Sequence, residues 1–258
     1  PETPVHPSES VKGEIEFDHV SFAYPEAGEN VLTDISFKAK KGQTIAVIGS
    51  TGSGKSTLIN LIPRYYDVTK GSVKVDGVDV RDMTQKELRD KLGYVPQKGV
   101  LFSGTIDSNI RYGKPEITDA QVKEAAEVAQ ATEFIDTKPE KYKSPVSQGG
   151  TNVSGGQKQR LSIARAIAKD PEIFIFDDSF SALDFKTDSQ LRKALKEYTK
   201  DATTVIVAQR ISTILGADQI IVLDDGHMAG IGTHKELMAN CEVYQQIARS
   251  QLSEEELA

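Results

Sequence analysis

Apolar and polar residues follow two different patterns along this chain. Near the start they alternate from Ile15 to Tyr24, and a second alternating segment contains Val31, Ile35 and Phe37. A period of two is typical of strands with one buried face, so these segments predict an antiparallel hairpin. Four later runs are short and almost continuously apolar, which indicates strands buried on both faces. These runs are residues 44–48, 173–176, 205–207 and 220–223.

Helical patterns lie between these runs, at residues 56–62, 157–169 and 188–198. Buried strands that alternate with helices predict an α/β fold, in which helices wrap a parallel sheet. The stretch from about residue 98 to 168 lacks such runs and has a helical pattern at 119–131, so we expect an inserted helical subdomain. The expected division is a linker at 1–10, a first core part at 11–97, the helical subdomain at 98–168, a second core part at 169–250 and an acidic tail at 251–258.

Composition narrows the classes of function. The 258 residues include 31 basic and 38 acidic side chains, a formal charge of −7, and the basic ones are spread along the sequence. This balance argues against a nucleic-acid partner. The apolar runs are far shorter than the ~18–20 residues that cross a bilayer, so we expect a soluble domain that does not span a membrane by itself. The single cysteine, Cys241, leaves no internal disulfide, and the four histidines show no metal-ligand spacing.

The strongest chemical motif directly follows the apolar run at 44–48. Its residues are Gly49, Ser50, Thr51, Gly52, Ser53, Gly54, Lys55 and Ser56, which match G-x-x-x-x-G-K-[ST] between a strand and a helix. In that setting the backbone N–H groups face the β-phosphate of a nucleotide, Lys55 reaches the β- and γ-phosphate oxygens, and the Ser56 hydroxyl can ligate Mg²⁺. The motif therefore predicts binding of ATP or GTP, and Thr57, the next residue, is included among the expected nucleotide-binding residues.

Two carboxylates, Asp177 and Asp178, follow the apolar run at 173–176. Ligands of open α/β sheets bind at the carboxyl ends of the strands, so both side chains are expected at the binding edge. Asp177 is the natural partner for Mg²⁺, while Asp178 stands where a base could address the attacking water. Aspartate after a strand is also common turn chemistry, and both residues could instead cap a loop.

A further motif consists of Ser154, Gly155, Gly156 and Gln157, which open a helix that ends shortly before Asp177. Together with the phosphate loop, this order of motifs resembles the nucleotide-binding domain of ABC transporters over nearly the whole chain, from about residue 13 to 250. The resemblance implies a P-loop NTPase (RecA-like) parallel-sheet core with an N-terminal antiparallel β subdomain and an inserted helical subdomain. Residues 13–17 and 99–110 resemble the exporter branch of the family.

The resemblance also implies roles for single residues. Tyr24 matches the aromatic that stacks on adenine, Gln97 the Q-loop glutamine near the metal, and Gln209 the switch position. Residues 147–150 match the exporter X-loop, and Asp184 closes the D-loop at 181–184. Taken alone, Tyr24 could be an ordinary strand aromatic and Gln97 an ordinary loop amide, although an exposed ring before a proline is suited to base stacking.

In this family the signature residues 154–157 address the γ-phosphate of ATP held by a partner subunit. Ser154 can cap its helix, and the glycines permit close approach. The resemblance therefore implies a head-to-tail dimer with a second ABC nucleotide-binding domain, and attachment to ABC transmembrane domains at the cytoplasmic face of the membrane. The implied ligands are ATP and Mg²⁺, with Ser56, Gln97 and Asp177 at the metal. Because the chain begins at Pro1 without a methionine, we expect an excised or processed segment. The resemblance implies that the linker at 1–10 follows a transmembrane domain.

Two residues depart from the family pattern. Asp178 stands where active members carry glutamate, and its shorter side chain places the carboxylate about 1 Å short, a misplacement that can cost on the order of 10²-fold in rate. Gln209 replaces the switch histidine, and an amide cannot take up a proton. We expect the degenerate half of a heterodimeric exporter, which binds Mg-ATP and hydrolyses it far below ~1–100 s⁻¹. His227 and His234 are expected in solvated turns and not to replace Gln209.

Two other functions stay open on the sequence. The chain could be a fully active homodimeric ABC ATPase in which Asp178 is an adequate base. It could also be a soluble, non-transport relative acting in DNA repair or translation, although the acidic balance and the lack of a long coiled-coil insertion argue against this. A P-loop kinase is disfavoured because it has no need of Ser154 to Gln157.

Overall fold

The computed structural model of the chain describes residues 1–257. The strands are β1 (Ile15–Phe22), β2 (Leu32–Ala39), β3 (Thr44–Gly49), β4 (Lys70–Val75), β5 (Val78–Asp79), β6 (Leu92–Val95), β7 (Gly104–Thr105), β8 (Pro145–Val146), β9 (Ile173–Asp177), β10 (Thr203–Val207), β11 (Gln219–Asp224) and β12 (His227–Gly232). The α-helices are α1 (Lys55–Asn60), α2 (Gln85–Asp90), α3 (Ile106–Ile110), α4 (Asp119–Val128), α5 (Thr132–Asp136), α6 (Gly155–Ala168), α7 (Phe185–Tyr198), α8 (His234–Asn240), α9 (Glu242–Gln251) and α10 (Glu254–Leu257).

The chain divides into two compact units. The first, here the core unit, consists of Pro1–Leu92 together with the segment that begins at Ala202, and the second, the central unit, is Gly93–Asp201. Among residues 1–257, none of the helices combines the length and the apolar character needed to cross a membrane.

The core unit begins with an antiparallel sheet in the order β2-β1-β4-β5. Strand β1 pairs with β2 so that Phe17 faces Phe37, and the two rings stack with centroids 4.7 Å apart. The apolar positions Ile15, Val20 and Phe22 are all buried. The pairing register shifts between Phe17 and Val20, where the buried apolar positions change from odd to even numbers. The pairing of β1 with β2 confirms the predicted antiparallel hairpin.

The second sheet of the core unit places β3 between β10 and β11, and both neighbours run parallel to it. Strand β12 closes the other side of β11 in antiparallel pairing. The residues of β3 from Ile45 to Ile48 are at most 1% exposed, as expected for a strand covered on both faces. The core beneath this sheet includes Ile48 and Val222 together with Tyr244 and Ala248 of α9.

The central unit is mainly helical, with α6 packed against α3 and α4, and α4 packed against α7. Strands β6 and β9 belong to one sheet in which they are neighbours, and β7 pairs with β8 over two residues each. The predicted helix at 119–131 ends earlier, at Val128, because Gln130 has a φ of +60°, which is incompatible with a continuing right-handed helix. The chain then starts α5 at Thr132.

Candidate nucleotide-binding site

The phosphate loop connects β3 to α1 in a tight curl that requires glycine at specific points. Gly52 and Gly54 have φ angles of +79° and +105°, conformations that only glycine adopts readily. At Gly49, an added Cβ would lie 2.5 Å from the Leu223 carbonyl oxygen and 2.5 Å from Ser53 Oγ. A side chain cannot fit there, so the chain turns directly over the end of β3.

Polar groups gather inside this curl. The Lys55 ammonium donates to the carbonyl oxygens of Gly49 and Ser50. The Ser53 hydroxyl is buried and has no hydrogen-bond partner within residues 1–257. A buried polar side chain without a partner is uncommon in folded proteins. A phosphate group suits this loop, because its oxygens would accept hydrogen bonds from Ser53, Lys55 and the backbone N–H groups.

Tyr24 lies beside the phosphate loop in the core unit. Its hydroxyl is 2.8 Å from Thr57 Oγ1, and its ring meets Phe22 and Tyr66 edge-on with centroids 4.9 and 5.1 Å away. The ring is half-buried rather than exposed, contrary to the expectation from the following proline. The hydrogen bond with Thr57 and the contacts with the two aromatic rings together hold the Tyr24 side chain in its orientation.

Gln209 leaves the sheet at the same edge as the phosphate loop. Val207 of β10 is paired with Val47 of β3 in parallel register, and the Ala208 N–H donates to the Val47 carbonyl at 3.3 Å. Gly49 lies two residues after Val47, and Gln209 lies two residues after Val207. The exposed Gln209 side chain is thus at the carboxyl edge of the sheet, where ligands of open α/β sheets bind.

In the central unit, the structure brings Gln97 and Asp178 together, with Gln97 Nε2 3.3 Å from Asp178 Oδ2. Asp177 is the last residue of β9, and Asp178 follows with a φ of +49°. Aspartate tolerates this left-handed conformation better than most side chains do. The buried Ser179 hydroxyl donates to the Val95 carbonyl at 2.7 Å and fixes the turn beside the end of β6.

A buried glutamine that the sequence did not single out holds the backbone around Gln97. Gln159 of α6 donates from Nε2 to the Pro96 carbonyl at 3.0 Å, and its Oε1 accepts from the Gly99 N–H at 2.7 Å. Its side chain is 1% exposed. The available signal was a polar residue on the apolar face of α6, since buried polar groups are usually hydrogen-bonded.

The signature segment forms a capped helix start, as predicted. The Gln157 N–H donates to Ser154 Oγ at 3.1 Å, and the Ser154 N–H donates to Gln157 Oε1 at 3.2 Å, a reciprocal capping box. An added Cβ at Gly155 would meet nothing within 4 Å, and Ser154 and Gly155 are exposed. The first turn of α6 therefore presents backbone N–H groups at an open surface.

Asp184 caps α7, accepting hydrogen bonds from the Thr187 N–H at 2.8 Å and the Thr187 hydroxyl at 3.0 Å. These bonds, the backbone one foremost, lower the pKa of Asp184 below its usual value, so it is anionic at neutral pH. The Ser181 hydroxyl donates to the Asp178 carbonyl at 3.0 Å. The D-loop is therefore attached at one end to the turn that carries Asp178 and at the other end to α7.

His227 and His234 lie in different surroundings. His227 is exposed at the start of β12, with Nδ1 2.9 Å from the Asp225 carbonyl oxygen. The prediction that His234 lies in a solvated turn is wrong. It begins α8, is half-buried, and has Nδ1 2.6 Å from the hydroxyl of the buried Tyr244.

A buried strand that runs into a glycine loop with lysine and serine, followed by a helix, defines a P-loop NTPase. The sequence profile described as "ABC transporter" matches residues 32–181, which is more than half of the chain. The chain belongs to the ABC transporter family and is an ATP-binding domain of that family.

Two curated relatives and one solved structure cover nearly all of this chain. An uncharacterized ABC transporter ATP-binding protein of Mycobacterium tuberculosis is 48% identical over 254 residues, which are 97% of this chain and 43% of the relative. A putative multidrug export ATP-binding/permease protein of Staphylococcus aureus is 46% identical over 241 residues, 93% of this chain and 42% of the relative. The structure of a bacterial Atm1-family ABC exporter with ATP bound superposes with a TM-score of 0.92 at 37% identity, covering 98% of this chain and 44% of the other. This chain thus spans less than half the length of the proteins that it matches.

Proposed function

We propose that this chain is the nucleotide-binding domain of an ABC exporter, which binds Mg-ATP and drives export through ABC transmembrane domains at the cytoplasmic face of a membrane. The observation that carries ATP binding is the phosphate loop, where Gly49 admits no side chain and the Ser53 hydroxyl is buried without a partner among residues 1–257. The relatives, a putative multidrug export protein and an Atm1-family exporter, support export as the coupled process.

In the core unit, we assign phosphate binding to residues 49–57, adenine stacking to Tyr24 and a γ-phosphate contact to Gln209. Ser56 is the proposed metal ligand of this unit. Its hydroxyl is exposed at the first turn of α1, directly after Lys55. When bound, Mg²⁺ would neutralise charge on the phosphates. Lys55 would exchange its present carbonyl partners for phosphate oxygens.

In the central unit, we assign metal contact to Asp177 and Gln97 and the position of the base to Asp178. The carboxylate oxygens of Asp177 and the amide oxygen of Gln97 are of the type that Mg²⁺ prefers. Ser154, Gly155, Gly156 and Gln157, together with Asp184 of the D-loop, are assigned to the nucleotide held by a partner domain. The capped start of α6, where Ser154 and Gly155 are exposed, supports the assignment of the signature residues, because a helix start at an open surface can receive an anion.

We further propose that the chain's own site hydrolyses ATP slowly and that the partner is a different chain with an intact site. Asp178 has a shorter reach than glutamate, and the Gln97 amide already donates a hydrogen bond to its carboxylate. Gln209 cannot act as a proton acceptor. Asp178 and Gln209 each depart from the family pattern, whereas the capped signature segment keeps the residues that would complete a partner's site.

Two measurements on the purified chain test this proposal. Binding of a fluorescent ATP analogue with Mg²⁺ should be saturable and should be lost in Lys55→Ala, but retained in Lys235→Ala, a control at an exposed lysine of α8. Steady-state hydrolysis should stay below ~1 s⁻¹. Absence of nucleotide binding by the wild-type chain would overturn the assignment as a whole.

The degenerate character is tested separately by restoring the family residues. Asp178→Glu combined with Gln209→His should raise the hydrolysis rate by roughly 10²-fold, because the longer carboxylate reaches the water and histidine can take up a proton. Lys235→Ala, at the exposed lysine of α8, serves again as the control for the effect of handling and expression. Rapid turnover by the wild-type chain, with no gain in the double variant, would instead favour an active homodimer.

A further inference from the structure

The last residue of α9, Gln251, holds the main chain of the segment that follows β10. Its Nε2 donates to the Gln209 carbonyl at 2.8 Å, and its Oε1 accepts from the Ile211 N–H at 2.7 Å. The two backbone groups lie on either side of Arg210. Because a side-chain amide is planar, one glutamine fixes the separation and orientation of both groups at once.

The two ends of this connection differ in burial. Ile211 is fully buried and belongs to the same apolar core as Ala248 and Leu252, which flank Gln251 on and just beyond α9. Gln209 has an exposed side chain, and apart from Ala208 its segment has left the strand pairing of β10 with β3. The contact with Gln251 therefore joins the main chain of an exposed residue to that of a residue in the apolar core.

The same segment lies at the edge where β3 enters the phosphate loop. The parallel pair Val207 and Val47 precedes Gln209 and Gly49 by two residues each, so a shift of the Gln209 backbone would move its side chain relative to the phosphate loop. A glutamine amide can reach an acceptor or donor only over a narrow range of distance and angle. Correct placement of Gln209 thus depends on what holds its carbonyl.

We propose that Gln251 is a positioning residue that fixes the backbone from Gln209 to Ile211 and thereby holds the Gln209 amide in place for the γ-phosphate. This inference rests on the proposed function, in which Gln209 contacts the γ-phosphate. ADP lacks this phosphate, so the contact favours ATP over ADP. Gln251 acts from α9 through the main chain and does not itself contact the nucleotide.

The first test measures the backbone directly, without nucleotide. Gln251→Met keeps the length of the side chain but removes both hydrogen bonds. Amide hydrogen exchange in a peptide covering residues 209–213 should become roughly tenfold faster, as expected when two hydrogen bonds of modest net strength are lost. Gln245→Met is the matched control, because Gln245 lies on the same helix and donates to the Met238 carbonyl at 2.8 Å, outside residues 209–213. Unchanged exchange at 209–213 in Gln251→Met would overturn the proposal.

The second test measures the ratio of ATP to ADP affinity of the chain. Gln251→Met should lower ATP affinity several-fold and leave ADP affinity unchanged, as should Gln209→Ala. The double variant should resemble Gln209→Ala alone, because Gln251 acts through that residue. Equal losses for ATP and ADP would indicate a purely structural role and contradict the proposal.

The two proposals fail in different ways. If Gln209→Ala leaves the ATP to ADP ratio unchanged, the proposed γ-phosphate contact of Gln209 is wrong, while the exchange experiment still decides whether Gln251 holds the segment. If Gln209→Ala lowers the ratio but Gln251→Met does not, Gln209 keeps its role and the positioning by Gln251 is wrong.

Discussion

The buried hydroxyl of Ser53 offers a sharp test, because it should oppose stability and support binding at the same time. Ser53 is 2% exposed, and its Oγ has no hydrogen-bond partner within residues 1–257. Burying a polar group without a partner costs ~1–3 kcal/mol. Ser53→Ala should therefore raise the free energy of unfolding of the nucleotide-free chain by about 1–2 kcal/mol.

The same substitution should weaken nucleotide binding. A hydrogen bond to a charged group contributes ~1.5–3 kcal/mol, which corresponds to a loss of roughly 10- to 100-fold in ATP affinity. Stability would be measured by urea unfolding without nucleotide, and affinity by titration calorimetry with Mg-ATP. Thermal midpoints should rise by ~2–4 °C per kcal/mol for a domain of this size.

Ser144→Ala is the matched control. Its hydroxyl is likewise buried, at 3% exposure, without a partner in the described chain, but it lies in the central unit and outside the phosphate loop. The Ser144→Ala variant should gain stability and keep the ATP affinity of the wild type. If Ser53→Ala is destabilising and binds ATP like the wild type, the hydroxyl has a partner in the free protein and the reasoning is wrong.

Two further predictions concern a glycine and a tyrosine. Gly49→Ala should destabilise the chain by ~1–3 kcal/mol and abolish ATP binding, because its Cβ would lie 2.5 Å from the Leu223 carbonyl oxygen, whereas Gly155→Ala, with nothing within 4 Å, should be neutral in urea unfolding. Burial raises the pKa of Tyr244 to about 12. The folded state thus favours the neutral Tyr244 hydroxyl more strongly than the unfolded state does, where its pKa is near ~10. The stability that the neutral hydroxyl contributes is fully present below pH ~10 and is lost as the pH rises toward 12. Tyr244→Phe should lose less stability than the wild type between those pH values in urea unfolding, and identical pH slopes would contradict the assignment.

The motifs that could be predicted are those whose geometry is local. The phosphate loop curls because glycines stand at fixed points between a strand and a helix, and the signature helix starts at Ser154 because serine and Gln157 satisfy each other's backbone groups three residues apart. The runs at 44–48 and 220–223 predicted buried strands, since only a strand covered on both faces is apolar throughout. The end of α4 was missed because a left-handed residue at Gln130 is not encoded by any turn residue such as glycine.

The positioning residues could not be predicted in the same way. Tyr24 meets Thr57 across 33 residues, Gln251 meets Gln209 across 42, and Gln159 meets Gly99 across 60. The two glutamine contacts depend on which backbone groups remain without a partner once the strands have paired, and the Tyr24 contact depends on which side chains the folded chain brings together. A glutamine in a helix has the same local pattern whether it faces solvent or a loop, so its sequence carries little information on the choice.

The sequence by itself determined the family, the fold class and the order of the motifs, because periodicity and short motifs act over a few residues. It also showed that Asp178 and Gln209 differ from the usual residues at their positions. Tertiary structure decided how those residues are held: Asp178 in a left-handed turn beside Gln97, and Gln209 by an amide from α9. The reason is physical, since the partner of a polar group is chosen by proximity after folding, and proximity between distant segments is a property of the packed chain.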